Sequence, residues 1–203
     1  GERPIVIAST GRSGSTMLTR AISQALVDSR FGCFPSFFKK HIRHLSTDYI
    51  NRIYNIDRAI APVIKTHDLF RKDFSDHAKY IFIFSDPLES AQSVAQMGQK
   101  HGMIWIEEHI FHLVGCGNPE EIFEKDVLNY EAQVTSWGNA KGVFLVHYDD
   151  LWSRKHELTE FLGFEIRLPE RRERVKKDSP VRVNQELFDY LRQKEKQLRS
   201  NIA

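Results

Sequence analysis

The residues of this 203-residue sequence best suited to chemistry fall in three short stretches. In "STGRSGST" (Ser9 to Thr16), Gly11 and Gly14 let the backbone turn tightly and approach a ligand, while Ser13, Ser15 and Thr16 bring hydroxyls and amides to the start of a helical pattern. The stretch reads as an anion cradle. The phosphate-binding loop of nucleoside triphosphatases follows G-x-x-x-x-G-K-[ST]; here Ser15 stands between Gly14 and Thr16, and Arg12 is the nearby cation. In "VIKTH", Lys65 and His67 lie two residues apart, which on an extended strand puts a cation and a titratable imidazole on one face. The third stretch, "SDPLESAQS", runs from Ser85 to Ser93.

Each stretch follows a buried-strand pattern. "PIVIAS" (Pro4 to Ser9) is β-branched, and beyond the turn Met17, Leu18, Ala21, Ile22, Ala25 and Leu26 repeat at helical spacing. "APVIKTH" (Ala61 to His67), "KYIFIFSD" (Lys79 to Asp86) and "GVFLVHYDDL" (Gly142 to Leu151) supply three more strands. Pro87 suits a first helical position and opens a helix through about Met97; another spans about Ser153 to Leu162 and stops at Gly163. Further helices are expected over Ile104 to Val114, Pro119 to Trp137 and Asn184 to Ser200. The alternation predicts one α/β domain over residues 1–203, three-layered, with a central mostly parallel sheet and a phosphate-binding loop after the first strand. A ligand is expected where all three polar stretches fall, at the C-terminal ends of the strands.

These stretches together resemble the sulfotransferases that use 3′-phosphoadenylyl sulfate (PAPS). "STGRSGSTML" is similar to the loop that binds the 5′-phosphosulfate, with Arg12 on the basic position; "VIKTHDLF" resembles the K-T-H-L-P segment, "IFIFSDPLESAQSV" the R-D-P-R-x4-S segment, and "FLVHYDDLWSRKHELTEFLGF" the V-x-Y-E-D-L to FLG region. The motifs occur in the family's order and cover most of the chain from Ile5 to Phe164. The resemblance implies transfer of a sulfuryl group from PAPS to a hydroxyl of a small-molecule or carbohydrate acceptor. It implies His67 as general base, Lys65 on the transferring sulfuryl, and Arg12 against the charge of the leaving 5′-phosphate. It also implies Arg12, Ser13, Gly14, Ser15 and Thr16 around the 5′-phosphosulfate and Ser93 on the 3′-phosphate, with no metal required. The chain departs from the pattern where the family's two arginines stand as Ser85 and Leu88, leaving Ser85 at the 3′-phosphate position. The basic run Arg171, Arg172, Arg174, Lys176 and Lys177, or the helix start at Pro87, could supply the missing charge.

That departure keeps two other readings open. "IFIFSD" also has the form of a strand ending in a Mg²⁺-positioning acid, so an ATP-dependent small-molecule kinase with Asp86 and Thr16 on the metal is coherent, as is a non-catalytic nucleotide-binding module. His109 and His112, beside Glu107 and Glu108, have a spacing that could bind a metal but read as a polar helix face; His41 and His44 read likewise. The aromatic and basic stretch from Arg30 to Arg58, and "QKHGMIWIEEHIFHLVGCGN" after the third motif, could form an acceptor pocket or ordinary helical core.

Composition sets the remaining bounds. Lys and Arg number 29 against 27 Asp and Glu, a net charge of +2, which gives no reason to expect a nucleic-acid partner. Cys33 and Cys116 are not in metal-ligand spacing and read as free core thiols of a reducing compartment. Trp137 and Trp152 read as core. No apolar run approaches a membrane span and the N-terminus lacks a signal-peptide layout, so a cytoplasmic chain is expected; because it starts at Gly1, loss of an N-terminal anchor by trimming stays open.

Overall fold

A computed structural model describes residues 3–31, 47–49, 62–71, 78–171 and 182–202. Among the described residues, five strands, β1 (Ile5–Ser9), β2 (Thr47–Tyr49), β3 (Val63–Thr66), β4 (Lys79–Phe84) and β5 (Val143–His147), form one sheet in the order β2-β3-β1-β4-β5. Every pairing is parallel. β1 is central and buried along its whole length, as its unbroken apolar run requires. The described α-helices are α1 (Ser15–Phe31), α2 (Pro87–His101), α3 (Met103–His112), α4 (Tyr130–Gly138), α5 (Lys155–Leu162) and α6 (Gln185–Ser200).

Alternation along the strands divides the core in two. Ile5, Ile7, Val63, Ile81, Ile83 and Val146 pack on one face with Leu18, Ile22 and Leu26 of α1 and Leu158 and Leu162 of α5. Val6, Ala8, Ile64, Phe82 and Phe84 pack on the other with side chains from α2, α3, α4 and α6. The result is the expected three-layer α/β architecture. Because the strands are parallel, all their C-terminal ends open on one edge, where the loops after β1, β3, β4 and β5 meet.

Several boundaries differ from expectation for local reasons. The helix expected over Pro119 to Trp137 is a short 3₁₀ turn at Pro119–Glu121 followed, after an interruption, by α4 alone. Asn129 has a left-handed backbone (φ 56), and Asp126 accepts hydrogen bonds from the amides of Tyr130 (2.8 Å) and Glu131 (2.9 Å), so a cap interrupts the pattern. β5 ends at His147 rather than Leu151, because Tyr148–Asp150 close a 3₁₀ turn in which the Asp149 amide donates to His147 Nδ1. β2 was not foreseen; it places Tyr49 on a strand rather than at helical spacing. Cys116 is exposed, not a core thiol, whereas Cys33 lies outside the described residues. Trp137 is fully buried, while Trp152 is only partly so. No described helix is long and apolar enough to cross a membrane.

Candidate functional site

The loop between β1 and α1 owes its shape to three left-handed residues, Gly11 (φ 75), Arg12 (φ 50) and Gly14 (φ 86). Glycine is required at two of them for space as well. A Cβ on Gly14 would lie 2.6 Å from the ring of Tyr148, the residue after β5, and one on Gly11 would lie 3.0 Å from His109 Nε2. Ser13 is fully buried and its hydroxyl donates to the carbonyl of Ile83 (3.0 Å), tying the loop to β4. The Ser13 hydroxyl therefore anchors the cradle and does not face a ligand. Ser15 is also buried; its carbonyl accepts from Thr19 Oγ1 (2.8 Å), closing the first turn of α1.

Above this loop lies a cavity of about 370 Å³ whose walls include Arg12, Gly14, Ser15, Thr16, Arg20, Lys65, His67, His109 and Tyr148. Lys65 and His67 do share one face at the end of β3, as their spacing predicted; Thr66 between them turns inward, its hydroxyl accepting from the Asp68 amide (3.0 Å). Lys65 Nζ donates to Thr16 Oγ1 (3.0 Å), joining β3 to the helix start. Burial first, then the nearby charges of Arg12 and Arg20, lower the Lys65 pKa from its ordinary value. Three cations thus line one cavity, an arrangement suited to an anion. Arg20 was not singled out in the sequence, although it stands four residues after Thr16 and so on the same helical face.

His67 is 4% exposed and its Nδ1 lies 3.0 Å from both the carbonyl and the hydroxyl of Ser9 on β1. A carbonyl only accepts, so the bond to Ser9 O puts the proton on Nδ1 and the lone pair on Nε2. Burial, then the charge of Lys65, push its pKa down to about 3, so the ring is neutral at physiological pH. His109 of α3, read from sequence as part of a polar face, instead reaches the cavity. Its ring stands edge-on to His67 (centroids 5.8 Å) and stacks on Trp105 (5.0 Å, 10°). Burial above all also lowers its pKa to about 3. No local pattern marked it; only the packing of α3 over the loop brings it there. Among the described residues no group of three or more His, Cys, Asp or Glu side chains is disposed to hold a metal ion.

The Ser85 to Ser93 stretch divides. Ser93 on α2 meets the loop, its hydroxyl accepting from Arg12 Nε (3.0 Å). Ser85 turns into the core at 1% exposure, bonded to the Ser90 hydroxyl (3.0 Å), and its carbonyl accepts from Tyr130 Oη (2.7 Å). Asp86 caps α2 by accepting from the Glu89 amide (2.9 Å) and pairs with Arg192 of α6 (2.7 Å). The helix start at Pro87 is therefore already occupied by a carboxylate, and that same acid, which a kinase would need for Mg²⁺, is committed to the cap and to Arg192. Of the basic run, Arg171 donates to Asp149 (3.2 Å); Arg172, Arg174, Lys176 and Lys177 lie outside the described residues, as do His41, His44 and most of the aromatic stretch before β3.

A second groove, of about 630 Å³, adjoins the first and shares Met17, Arg20 and Tyr148 with it. Its far wall includes Trp152, set edge-on to Tyr148 (5.3 Å), with Arg167, Leu168 and Pro169.

Sequence comparison finds no matching family model and no matching curated protein. Among solved structures, the fold is similar to mouse sulfotransferase SULT7A1 complexed with PAP, at 15% identity over 95% of this chain and 63% of that one, with a TM-score of 0.42. It is also similar to retinol dehydratase in complex with androsterone and inactive cofactor PAP, at 13% identity over 96% of this chain and 64% of that one, with a TM-score of 0.46. The chain spans less than two thirds of the length of these structures.

Proposed function

We propose that this chain is a sulfotransferase that moves a sulfuryl group from PAPS to a hydroxyl of a small-molecule or carbohydrate acceptor. One observation carries the reading: Arg12, Lys65 and His67 line a single cavity over a glycine-turned loop, and the Ser9 carbonyl holds His67 in the tautomer whose Nε2 can take a proton. In this reading the 5′-phosphosulfate occupies the loop, against the amides of Gly14 to Thr16 at the start of α1 and the charges of Arg12 and Lys65. The acceptor oxygen attacks sulfur and forms the new O–S bond. The S–O bond to the 5′-phosphate breaks with its electron pair, releasing adenosine 3′,5′-bisphosphate (PAP), and the hydroxyl proton passes to His67 Nε2.

The depressed pKa of His67 suits this sequence of events. Buried, and beside the charge of Lys65, the resting imidazole is neutral; the negative charge of the donor offsets Lys65 and raises the ring's proton affinity once substrate is bound. The nucleoside half of the donor is assigned to the adjoining groove, where Met17, Tyr148 and Trp152 offer apolar faces to a purine. The 3′-phosphate is assigned to Ser93, beside which the Arg12 guanidinium supplies the positive charge that Ser85 lacks.

Calorimetry tests the assignment. PAP is expected to bind without Mg²⁺ and ATP to bind poorly. Tight ATP binding that depends on Mg²⁺ would make the chain a kinase instead.

A further inference from the structure

His109 carries an observation that donor binding leaves unexplained. Its Nε2 is buried and has no hydrogen-bond partner among the described residues. Buried polar atoms are nearly always paired, and an orphan at the wall of a cavity marks a partner that arrives with a ligand. The ring is also held in place. Trp105 stacks behind it at 5.0 Å and 10°, and Nε2 stands 3.0 Å from where a side chain on Gly11 would begin, directly over the crown of the loop. A residue needed here only for packing against Trp105 and Leu113 would be served as well by phenylalanine, with no nitrogen left unpaired.

What Nε2 meets can be narrowed by charge. Burial above all, and then the neighbouring His67 and the charges of Arg12 and Lys65, keep His109 neutral, so it adds no further cation for the phosphosulfate. In the tautomer that carries its proton on Nε2, the neutral ring offers an N–H suited to a neutral oxygen, and the reaction brings one to this wall of the cavity: the acceptor hydroxyl, which must also reach His67.

We propose that His109 is a second imidazole in contact with the acceptor, its Nε2–H donating to the hydroxyl oxygen that attacks sulfur while that hydroxyl donates its own proton to His67. The inference rests on the sulfuryl-transfer reading above. As the O–H proton moves to His67 Nε2 and the O–S bond forms, the His109 proton stays where it is. The donated hydrogen bond strengthens while the oxygen is most electron-rich and so favours the transition state over the bound ground state. Edge-on rings, rather than stacked ones, are the arrangement in which two imidazoles can present nitrogens to one oxygen from different directions.

The test uses the full chain, with His109→Phe, which keeps the stack on Trp105 but removes the nitrogen, and His109→Gln, which restores an N–H. PAP affinity is measured by calorimetry, and turnover of PAPS to PAP is measured with water and with 4-nitrophenol as the acceptor oxygen. Both variants are expected to bind PAP within about twofold of wild type. His109→Phe should lose roughly 10- to 100-fold in turnover, with His109→Gln recovering part of it. Turnover of His109→Phe equal to wild type overturns the inference, and so does a loss of PAP affinity as large as the loss of turnover, which would make the ring a support for the loop. Failure of the wild-type chain to bind PAP would instead sink the sulfuryl-transfer reading beneath it.

Discussion

Two neutral histidines packed together in the native state make stability depend on pH in a way that can be worked out. His67 and His109 both have folded-state pKa values pushed down to about 3, from an ordinary 6.5. The unfolded chain therefore binds protons that the native state refuses, and stability falls as pH drops below the ordinary histidine value, the loss continuing down to the folded values. At pH 5 each ring contributes a penalty of about 2 kcal/mol, being roughly 1.36 kcal/mol for each of the ~1.5 pH units below the unfolded pKa. This figure is insensitive to the exact folded pKa, since any value well under 5 gives the same result. The pair should cost about 4 kcal/mol at pH 5 relative to neutral pH, a large share of a domain's ~5–15 kcal/mol. Urea unfolding at pH 7 and pH 5, for the wild type and for His67→Gln and His109→Gln, measures it. Each substitution removes one titrating ring and should shrink the pH 7 to pH 5 difference by about 2 kcal/mol. An undiminished difference in both variants would show that these rings titrate in the native state, refuting the argument that burial and the surrounding cations hold them neutral. The same linkage predicts that PAP binding near pH 5 draws in protons, visible as a buffer-dependent binding enthalpy.

Two further outcomes follow from the loop. Gly14→Ala meets both the left-handed backbone and the Tyr148 ring at 2.6 Å, costing about 1–2 kcal/mol for the backbone and about 1–3 kcal/mol for the overlap; Tyr148→Ala should relieve the second part in a double-mutant cycle, and zero coupling would mean the ring moves aside freely. Arg12→Gly removes the guanidinium but suits φ 50, so PAP affinity should fall roughly 10- to 100-fold while the urea midpoint changes little; unchanged affinity would take Arg12 out of the anion site.

The parts of the site legible in the sequence are those whose geometry is local. The turn of the loop could be read because it is made by Gly11, Arg12 and Gly14 within a few residues, and the common face of Lys65 and His67 because strand alternation fixes it. The capped start of α2 at Pro87 and the stop of α5 at Gly163 (φ 83) are local for the same reason. His109 was not legible: it arrives by the packing of α3, through Ile106, Ile110 and Leu113, onto a sheet whose strands are far away in sequence. The fate of Ser85 was hidden as well: its hydroxyl bonds that of Ser90 inside the core, and its carbonyl accepts from Tyr130, 45 residues later. The break before α4 was obscured because Val127 and Leu128 are buried and continue the apolar pattern, while the interruption comes from the Asp126 side chain and the backbone of Asn129.

The same packing bears on how, in the proposed reading, a chain without the loop lysine would hold a phosphosulfate. A lysine between Gly14 and Thr16 would stand where Ser15 is, at a position that is 4% exposed here. Its charge is instead distributed over Arg12 from the crown, Lys65 from β3 and Arg20 from the next turn of α1, which reach the cavity from three elements. Each of these cations lies outside the buried start of the helix, so none has to be desolvated as fully as a lysine at Ser15 would be. Burial first, then the charge of Lys65, holds the His67 ring neutral; in the proposed reading an anionic donor that offsets Lys65 raises the ring's proton affinity and so couples donor binding to base strength. In that reading the acceptor meets a stronger base once the donor is in the loop.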